Sequence, residues 1–310
     1  MKTLALDLGG TRIKMGIVER DKILASSIID ALSAGGLQGR LPDIEEAASG
    51  LLGRVGEPVA GMGISAPGIV DPHASRVTSI NAKYADAVGF DFPSWAKKSF
   101  GLPLRMENDA RSALVGEWQF GAGRGCNNLV MVTLGTGIGG AAMIDGKLLY
   151  GKHFQAGCLG GHFTIDYEGD ECNCGNIGCA ESIASSWALP LRAKRDPAYT
   201  ASPLSKGASL DYRALLRHSD DGDSLSQRLW QESLRAWTMC VINLIHAYDP
   251  EMVILGGGLM QSAEAILPAV RDGVHRHAWT PWGKVQILKA RDTENAALLG
   301  ISYLLEQSIR

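Results

Sequence analysis

The apolar positions of this chain fall into short continuous runs, and several of those runs end in a cluster of glycines. Residues 3–8 (TLALDL) are apolar except for Thr3 and Asp7 and predict a buried strand. The tripeptide Gly9-Gly10-Thr11 follows, and residues 13–18 predict a second strand. A glycine-rich loop between two strands opens its backbone N–H groups to an anion. The same order returns at residues 129–134 (LVMVTL), followed by GTGIGG, a strand-like run at 141–144 and an Asp145-Gly146 turn. A strand–Gly/Thr loop–strand unit that occurs twice predicts two related halves facing each other across a cleft.

GTGIGG also fits the dinucleotide fingerprint, with Gly135, Gly137 and Gly140 in register. That fingerprint needs a helix directly after it, whereas AAMIDGKLLYG has a turn signal and no helical period, so the dinucleotide reading fails.

Further on the period changes. Leu225, Leu229, Trp237, Cys240, Val241, Leu244 and Ile245 recur at helical spacing and predict a helix over 224–248, ended by Asp249-Pro250. Residues 252–255 predict a strand that runs into Gly256, Gly257 and Gly258, with a helix from about Ser262. Such an opening either brings backbone close to a flat ligand such as adenine or makes a tight crossover turn. Residues 293–307 predict a last helix packed on the first domain. The polar stretch 192–223 carries no legible chemistry.

Composition narrows the function classes. With 310 residues the chain makes one large domain or two medium ones. Thirty Lys and Arg against 33 acids give a net charge of −3, which argues against nucleic-acid binding. No apolar run is long enough for a membrane span, and the N-terminus has no signal-peptide pattern, so a soluble, cytoplasmic protein is expected. The 38 glycines are about 12% of the chain, well above the usual share, and lie beside strand-like runs as backbone-lined ligand sites would.

The densest chemistry lies at residues 162–181, HFTIDYEGDECNCGNIGCAE. His162, Cys172, Cys174 and Cys179 offer four nitrogen and sulfur ligands threaded with turns, the set a closed tetrahedral zinc site needs. A disulfide reading is poor, because Cys172 and Cys174 are too close in sequence and the count is odd. Cys126, Cys158 and Cys240 stand in apolar or glycine-rich surroundings and read as small buried hydrophobes. Reduced thiols fit the cytoplasm.

Glu107, Asn108 and Asp109 follow a strand-like LPLRM and open a helix through Trp118. A carboxylate there is either a helix cap or a general base for phosphoryl transfer to an alcohol. Asp7, at the end of the first strand and with no cationic neighbour in sequence, is placed to orient Mg²⁺ or its water. The turn in GISAPGIVD, around Gly68, and the downstream Asn81 could meet sugar hydroxyls, and Glu181 could be pinned by the metal frame to the same pocket.

DLGGTRIKMG, MENDA, LGTGIGG and CNCGNIGCAE after a GGH closely resemble the ROK family of sugar kinases and sugar-responsive repressors, over essentially the whole chain. The resemblance implies an α/β fold of two actin-like (ribonuclease-H-like) ATPase domains with ATP and sugar in an interdomain cleft. It implies domains at 1–110 with 293–310 and at 111–292, the latter carrying the zinc motif. Asp109 resembles the base that activates the sugar 6-hydroxyl. Gly9, Gly10, Thr11, Gly135, Thr136 and Gly137 resemble the phosphate loops, and Gly256, Gly257 and Gly258 the adenosine side. Gly68, Asn81, Asn108, His162 and Glu181 fall where such kinases contact sugar, so His162 would serve both metal and substrate. ATP, Mg²⁺ and structural Zn²⁺ are the implied cofactors, and a homodimer the implied assembly.

One departure bears on substrate. Family kinases often read Gly-Glu-x-Gly-His before the metal motif, with the Glu near the anomeric end of the sugar, whereas CLGGH puts Leu159 there. A charge-assisted hydrogen bond worth about 1.5–3 kcal/mol is absent, which favours a sugar altered at that end. The expected activity is phosphorylation of a glucose-like hexose, with an N-acetylhexosamine as the alternative acceptor. A silent sugar sensor would have a damaged base or loop, and both stand intact. A repressor would need a helix-turn-helix, for which the predicted strand at 3–8 leaves no room ahead of it.

Overall fold

The structure is a computed structural model that describes residues 1–81, 83–207 and 209–309. Its chain divides into two compact units, Met1–Asn127 with Ala141–Cys158 and Ala290–Arg310, and Asn128–Gly140 with Leu159–Lys289.

The first unit opens with β1 (Lys2–Leu8), β2 (Arg12–Glu19) and β3 (Lys22–Asp30), a meander whose register sets Asp7 opposite Lys14. Then follow α1 (Leu41–Val55), β4 (Met62–Ala66), β5 (Ile69–Asp71), β6 (Arg76–Ser79), α2 (Phe92–Phe100), β7 (Leu104–Asn108) and α3 (Asp109–Phe120). β4 runs parallel to β1 and β7 parallel to β4, so the sheet order is β3-β2-β1-β4-β7. Alternation sends Leu4, Leu6 and Leu8 into one core and Ala5 to the other face, where it meets Leu298, Leu299 and Ile301.

The chain continues with β8 (Leu129–Leu134), β9 (Ile138–Ile144), β10 (Lys147–Leu148), α4 (Ala180–Ala184), α5 (Ala188–Arg195), α6 (Tyr212–Asp220), α7 (Ser224–Tyr248), β11 (Met252–Gly256), α8 (Ala263–His277), β12 (Gln286–Lys289) and α9 (Ala296–Ile309). The second sheet has the order β10-β9-β8-β11-β12, and the division between units falls inside β9. In chain order both sheets therefore run third, second, first, fourth, fifth. That shared topology is what the repeated strand–loop–strand pattern predicts.

Two differences from the expected layout have physical causes. The strand after the second glycine loop begins at Ile138, because the last three residues of GTGIGG are already extended. The first unit continues through α3 past position 110, because α3 packs closely on α9 at Gly116 and Gly300 and carries its register with it. No helix among the described residues is long and apolar enough to cross a membrane.

Candidate active site and metal centre

The first glycine loop is held from behind by two side chains. Tyr84 Oη donates to Gly9 O at 2.8 Å and Ser33 Oγ to Gly10 O at 2.8 Å. With these carbonyls tied down, the N–H groups of Gly10 and Thr11 have no partner among the described residues and are open to an anion. Lys83 lies over the same loop: a Cβ added to Gly10 would sit 2.7 Å from Lys83 Cε and 2.9 Å from Nζ.

Asp7 stands at the base of this loop, with its Oδ1 accepting from Ser65 Oγ on β4 at 2.8 Å. Burial raises its pKa to about 6; the Ser65 bond works against that rise, Asp109 adds to it and Lys14 opposes it. Asp7, with no cationic neighbour in sequence, thus gains one across the β1–β2 ladder. Lys14 is itself bound to Glu294 at 2.6 Å.

Asp109 begins α3, and Asn108 caps that helix by accepting from Arg111 N at 3.2 Å. Asn108 Nδ2 donates both to Gly68 O (2.9 Å) and to Asp109 Oδ1 (3.0 Å), and Ala110 N donates to the same Oδ1 at 2.8 Å. Gly68, Asn108 and Asp109 are therefore one connected network. Both bonds fall on Oδ1, so Oδ2 is the oxygen with lone pairs to offer an acceptor hydroxyl. Burial raises the pKa of Asp109, while the Lys83 charge and the Ala110 and Asn108 bonds pull it back toward the ionised form. Asn81 is exposed, and its carbonyl accepts from Lys83 N at 2.7 Å.

Behind Asp109 sits a polar cluster with no motif to announce it. Glu107 and Arg111, both fully buried, face each other at 3.6 Å. Tyr150 Oη donates to Glu107 Oε2 at 2.8 Å, and Arg111 Nη2 donates to Phe154 O and Ala156 O. These bonds fasten the 150–156 segment to the start of α3.

The second glycine loop repeats the arrangement by other means. Ser186 N donates to Gly135 O and Trp187 N to Thr136 O, so the carbonyls are again tied down. Glu181, one of the residues expected to face a sugar, accepts one hydrogen bond on each oxygen here. Its Oε2 accepts from Ile138 N at 2.7 Å and its Oε1 from Trp187 Nε1 at 3.1 Å, and a Cβ on Gly137 would strike it. Gly256 ends β11, and Gly257 turns with φ 86° against the backbone of Leu134. Beside Gly258 opens a cavity of about 160 Å³ lined by Ser186, Tyr212, Arg213, Trp230 and Gln261. Tyr212 and Arg213 belong to the stretch that carried no legible chemistry.

The ligand atoms of His162, Cys172, Cys174 and Cys179 all lie within 4.8 Å of one another. Cys172 Sγ is 3.6 Å from His162 Nδ1, and Cys174 Sγ is 3.8 Å from Cys179 Sγ. A tetrahedral zinc with bonds of about 2.3 Å to sulfur and 2.0 Å to nitrogen requires edges of about 3.8 and 3.5 Å. The donor set therefore fits such an ion. Asn176 supports it from outside, donating to Cys179 Sγ and to His162 O. Gly178, at φ 63°, passes so close to Asp166 O that no side chain fits.

Residues 3–308 match the ROK family. The chain belongs to the ROK family. A glucokinase of Thermotoga maritima is 30% identical over 316 residues, covering 100% of this chain and 98% of its own length. A beta-glucoside kinase of Klebsiella pneumoniae is 33% identical over 266 residues, 84% of this chain and 83% of that one. The structure of a ROK family glucokinase from Streptomyces griseus, in complex with glucose and AMPPNP, is similar with a TM-score of 0.84 and 30% identity, covering 99% of this chain and 100% of that chain. The fold is accordingly the two-domain actin-like ATPase fold of the ROK sugar kinases.

Proposed function

We propose that this chain is an ATP-dependent sugar kinase that phosphorylates the 6-hydroxyl of a glucose-like hexose, with Asp109 as general base. The observation that carries the reading is the Asn108–Asp109–Gly68 network, in which two donors fix Asp109 Oδ1 and so aim the carboxylate. A base must be aimed before it can take a proton, and this one is aimed by its own helix start. Glucose-named relatives at about 30% identity over nearly the whole chain support the same activity.

The remaining roles follow from chemistry. The Gly9-Gly10-Thr11 and Gly135-Thr136-Gly137 loops offer backbone donors to phosphates, and Asp7 offers a carboxylate to Mg²⁺ or its water. Gly256, Gly257 and Gly258, with the adjoining cavity, suit the adenosine end. His162, Cys172, Cys174 and Cys179 would hold a structural Zn²⁺, which supplies folding energy and leaves no ligand position open. His162 then keeps its second ring nitrogen for the sugar, and Gly68, Asn81 and Asn108 are further sugar contacts. Glu181 holds the second loop and retains a lone pair on each oxygen for a sugar hydroxyl.

Leu159 favours a second acceptor. It is 37% exposed at the position where family kinases often carry a sugar-binding Glu. An apolar side chain there suits a sugar substituted at the anomeric end, which agrees with the beta-glucoside kinase relative.

A coupled ADP-release assay with Mg-ATP decides between acceptors, run over glucose, mannose, fructose, allose, N-acetylglucosamine, N-acetylmannosamine and a β-glucoside. Asp109→Asn should lower kcat on the best acceptor by about 10²–10⁴-fold with the melting temperature and metal content kept. Near-normal turnover in that variant would remove Asp109 as the base.

A further inference from the structure

The first glycine loop carries a positive charge that no motif marks. Lys83 and Tyr84 are neighbours in sequence, and both close on this loop. Tyr84, buried and left-handed at φ 48°, bonds Gly9 O, and its own N–H donates to Ser33 O. This double anchor fixes the backbone from which Lys83 reaches across Gly10. The Lys83 ammonium is half-buried and takes part in none of the ion pairs among the described residues. An ammonium withdrawn from water is costly unless an anion answers it. The anions offered at this place are the Asp109 carboxylate and whatever binds the open N–H groups of Gly10 and Thr11.

We infer that Lys83 is a catalytic residue, its ammonium contacting the phosphoryl group as that group passes from ATP at the Gly9-Gly10-Thr11 loop to the sugar hydroxyl. The inference rests on the sugar-kinase reading and adds a residue to it. In the step, Asp109 Oδ2 takes the hydroxyl proton and the hydroxyl oxygen bonds to the γ-phosphorus. The bond from that phosphorus to the bridging oxygen breaks, and ADP leaves with the electron pair. Lys83 keeps its proton throughout. Its charge offsets the negative charge on the equatorial oxygens of the transferring group, as preorganised cations do in this chemistry. The same charge holds Asp109 toward its ionised form, so one side chain serves both base and phosphate.

Two arms test this. In the kinetic arm, Lys83→Met should lower kcat by about 10²-fold on the best acceptor of the sugar panel, with the sugar KM changed by less than about threefold, and Lys83→Arg should recover at least about tenfold of the loss. Beside the Ala110 and Asn108 hydrogen bonds, the titratable groups that act on Asp109 are Lys83, Asp7 and the Cys158 thiol. Removing the only cation among them should move the acid limb of kcat/KM to higher pH. In the binding arm, which needs no sugar, Lys83→Met should weaken Mg-AMPPNP while leaving Mg-ADP unchanged. A Lys83→Met enzyme with kcat within twofold of wild type and an intact AMPPNP preference overturns the inference. Equal losses in Met and Arg variants with an unmoved acid limb also overturn it, since that is what a mere packing role gives. Should Lys83→Met lose its fold by circular dichroism, Lys83→Gln carries the same readouts. Failure of the kinase reading looks different: the wild type then turns over no sugar, while the binding arm still reports on Lys83.

Discussion

The two glycine loops follow the same strand–Gly/Thr–strand plan and are supported in opposite ways. In the first, Gly9 O and Gly10 O are tied by the side-chain hydroxyls of Tyr84 and Ser33, and charged groups crowd around: Asp7, Lys83 and Asp109. In the second, Gly135 O and Thr136 O are tied by the backbone N–H groups of Ser186 and Trp187, and Glu181 braces the loop, each of its oxygens accepting one bond. Carbonyls held on one side leave N–H groups for an anion on the other, so both loops suit phosphate. The first can also do chemistry, because its charges have unused valence. The second is braced by its charge, because Glu181 already accepts one bond on each oxygen.

The comparison breaks most sharply at the metal centre, since Cys179 directly precedes α4 and α4 carries Glu181 to the second loop. Cys174→Ser should release the ion and lower the melting temperature by about 10 °C or more, because structural zinc sites hold on the order of 10 kcal/mol of apparent binding energy. Nucleotide affinity should fall with it, whereas the Asp109-dependent acid limb should stay where it is. Elemental analysis and thermal melts of the purified protein read this directly. A wild type that is metal-free and equally stable would remove the zinc assignment.

The first loop breaks differently, because its cost is electrostatic. Asp7 has its folded pKa raised from 3.8 to about 6, so the folded chain binds the proton more tightly than the unfolded one. By linkage, Asp7 favours folding below pH 4, and that contribution is lost as pH rises from about 4 to about 6. Above pH 6 the ionised group costs up to about 3 kcal/mol. Asp7→Asn keeps an acceptor for Ser65 Oγ and removes the charge. It should therefore raise stability at pH 7 in the absence of Mg²⁺ while cutting Mg-ATP turnover at least about tenfold. Urea melts at pH 4.5 and pH 7 check the sign: the gain belongs at pH 7 and should shrink at pH 4.5. A variant destabilised at both would show that Asp7 is a structural partner, not a poised ligand site.

What could be read from residues alone was local. The strand at 129–134 and the helix at 224–248 follow from periodicity, and the four candidate metal ligands lie within one short stretch where spacing carries the signal. The Asp109 network was half legible, because Asn108 and Asp109 adjoin, whereas Gly68 reaches them only through β4 lying beside β7. Lys83, Tyr84 and Tyr150, the last bonded to Glu107, were missed for one reason. Each works across tens of residues of chain, with no period or motif to tie the partners. Lys83 had one available hint, a lone cation two residues from Asn81 in a loop already marked for ligands. Glu181 was found, but its bonds to Ile138 N and Trp187 Nε1 were not, since its place after Cys179 shows that it is held and not what it holds.

Glu181 gives the finest test of the contrast. Glu181→Gln keeps the length and one acceptor oxygen, so Ile138 N can still be satisfied. The other terminus becomes an NH₂ group facing Trp187 Nε1–H, and two donors cannot bond each other. A charge-assisted pair is thereby exchanged for one neutral bond and one unsatisfied donor, a change of about 1.5–3 kcal/mol. If the second loop is a holder, that loss should appear as a roughly tenfold higher KM for ATP, with kcat and the acid limb of kcat/KM close to wild type. If Glu181 touched the sugar directly, the KM for sugar would rise instead and the nucleotide terms would stand still. Initial rates over a grid of ATP and sugar concentrations separate the two, and a pure sugar effect would erase the difference drawn between the loops.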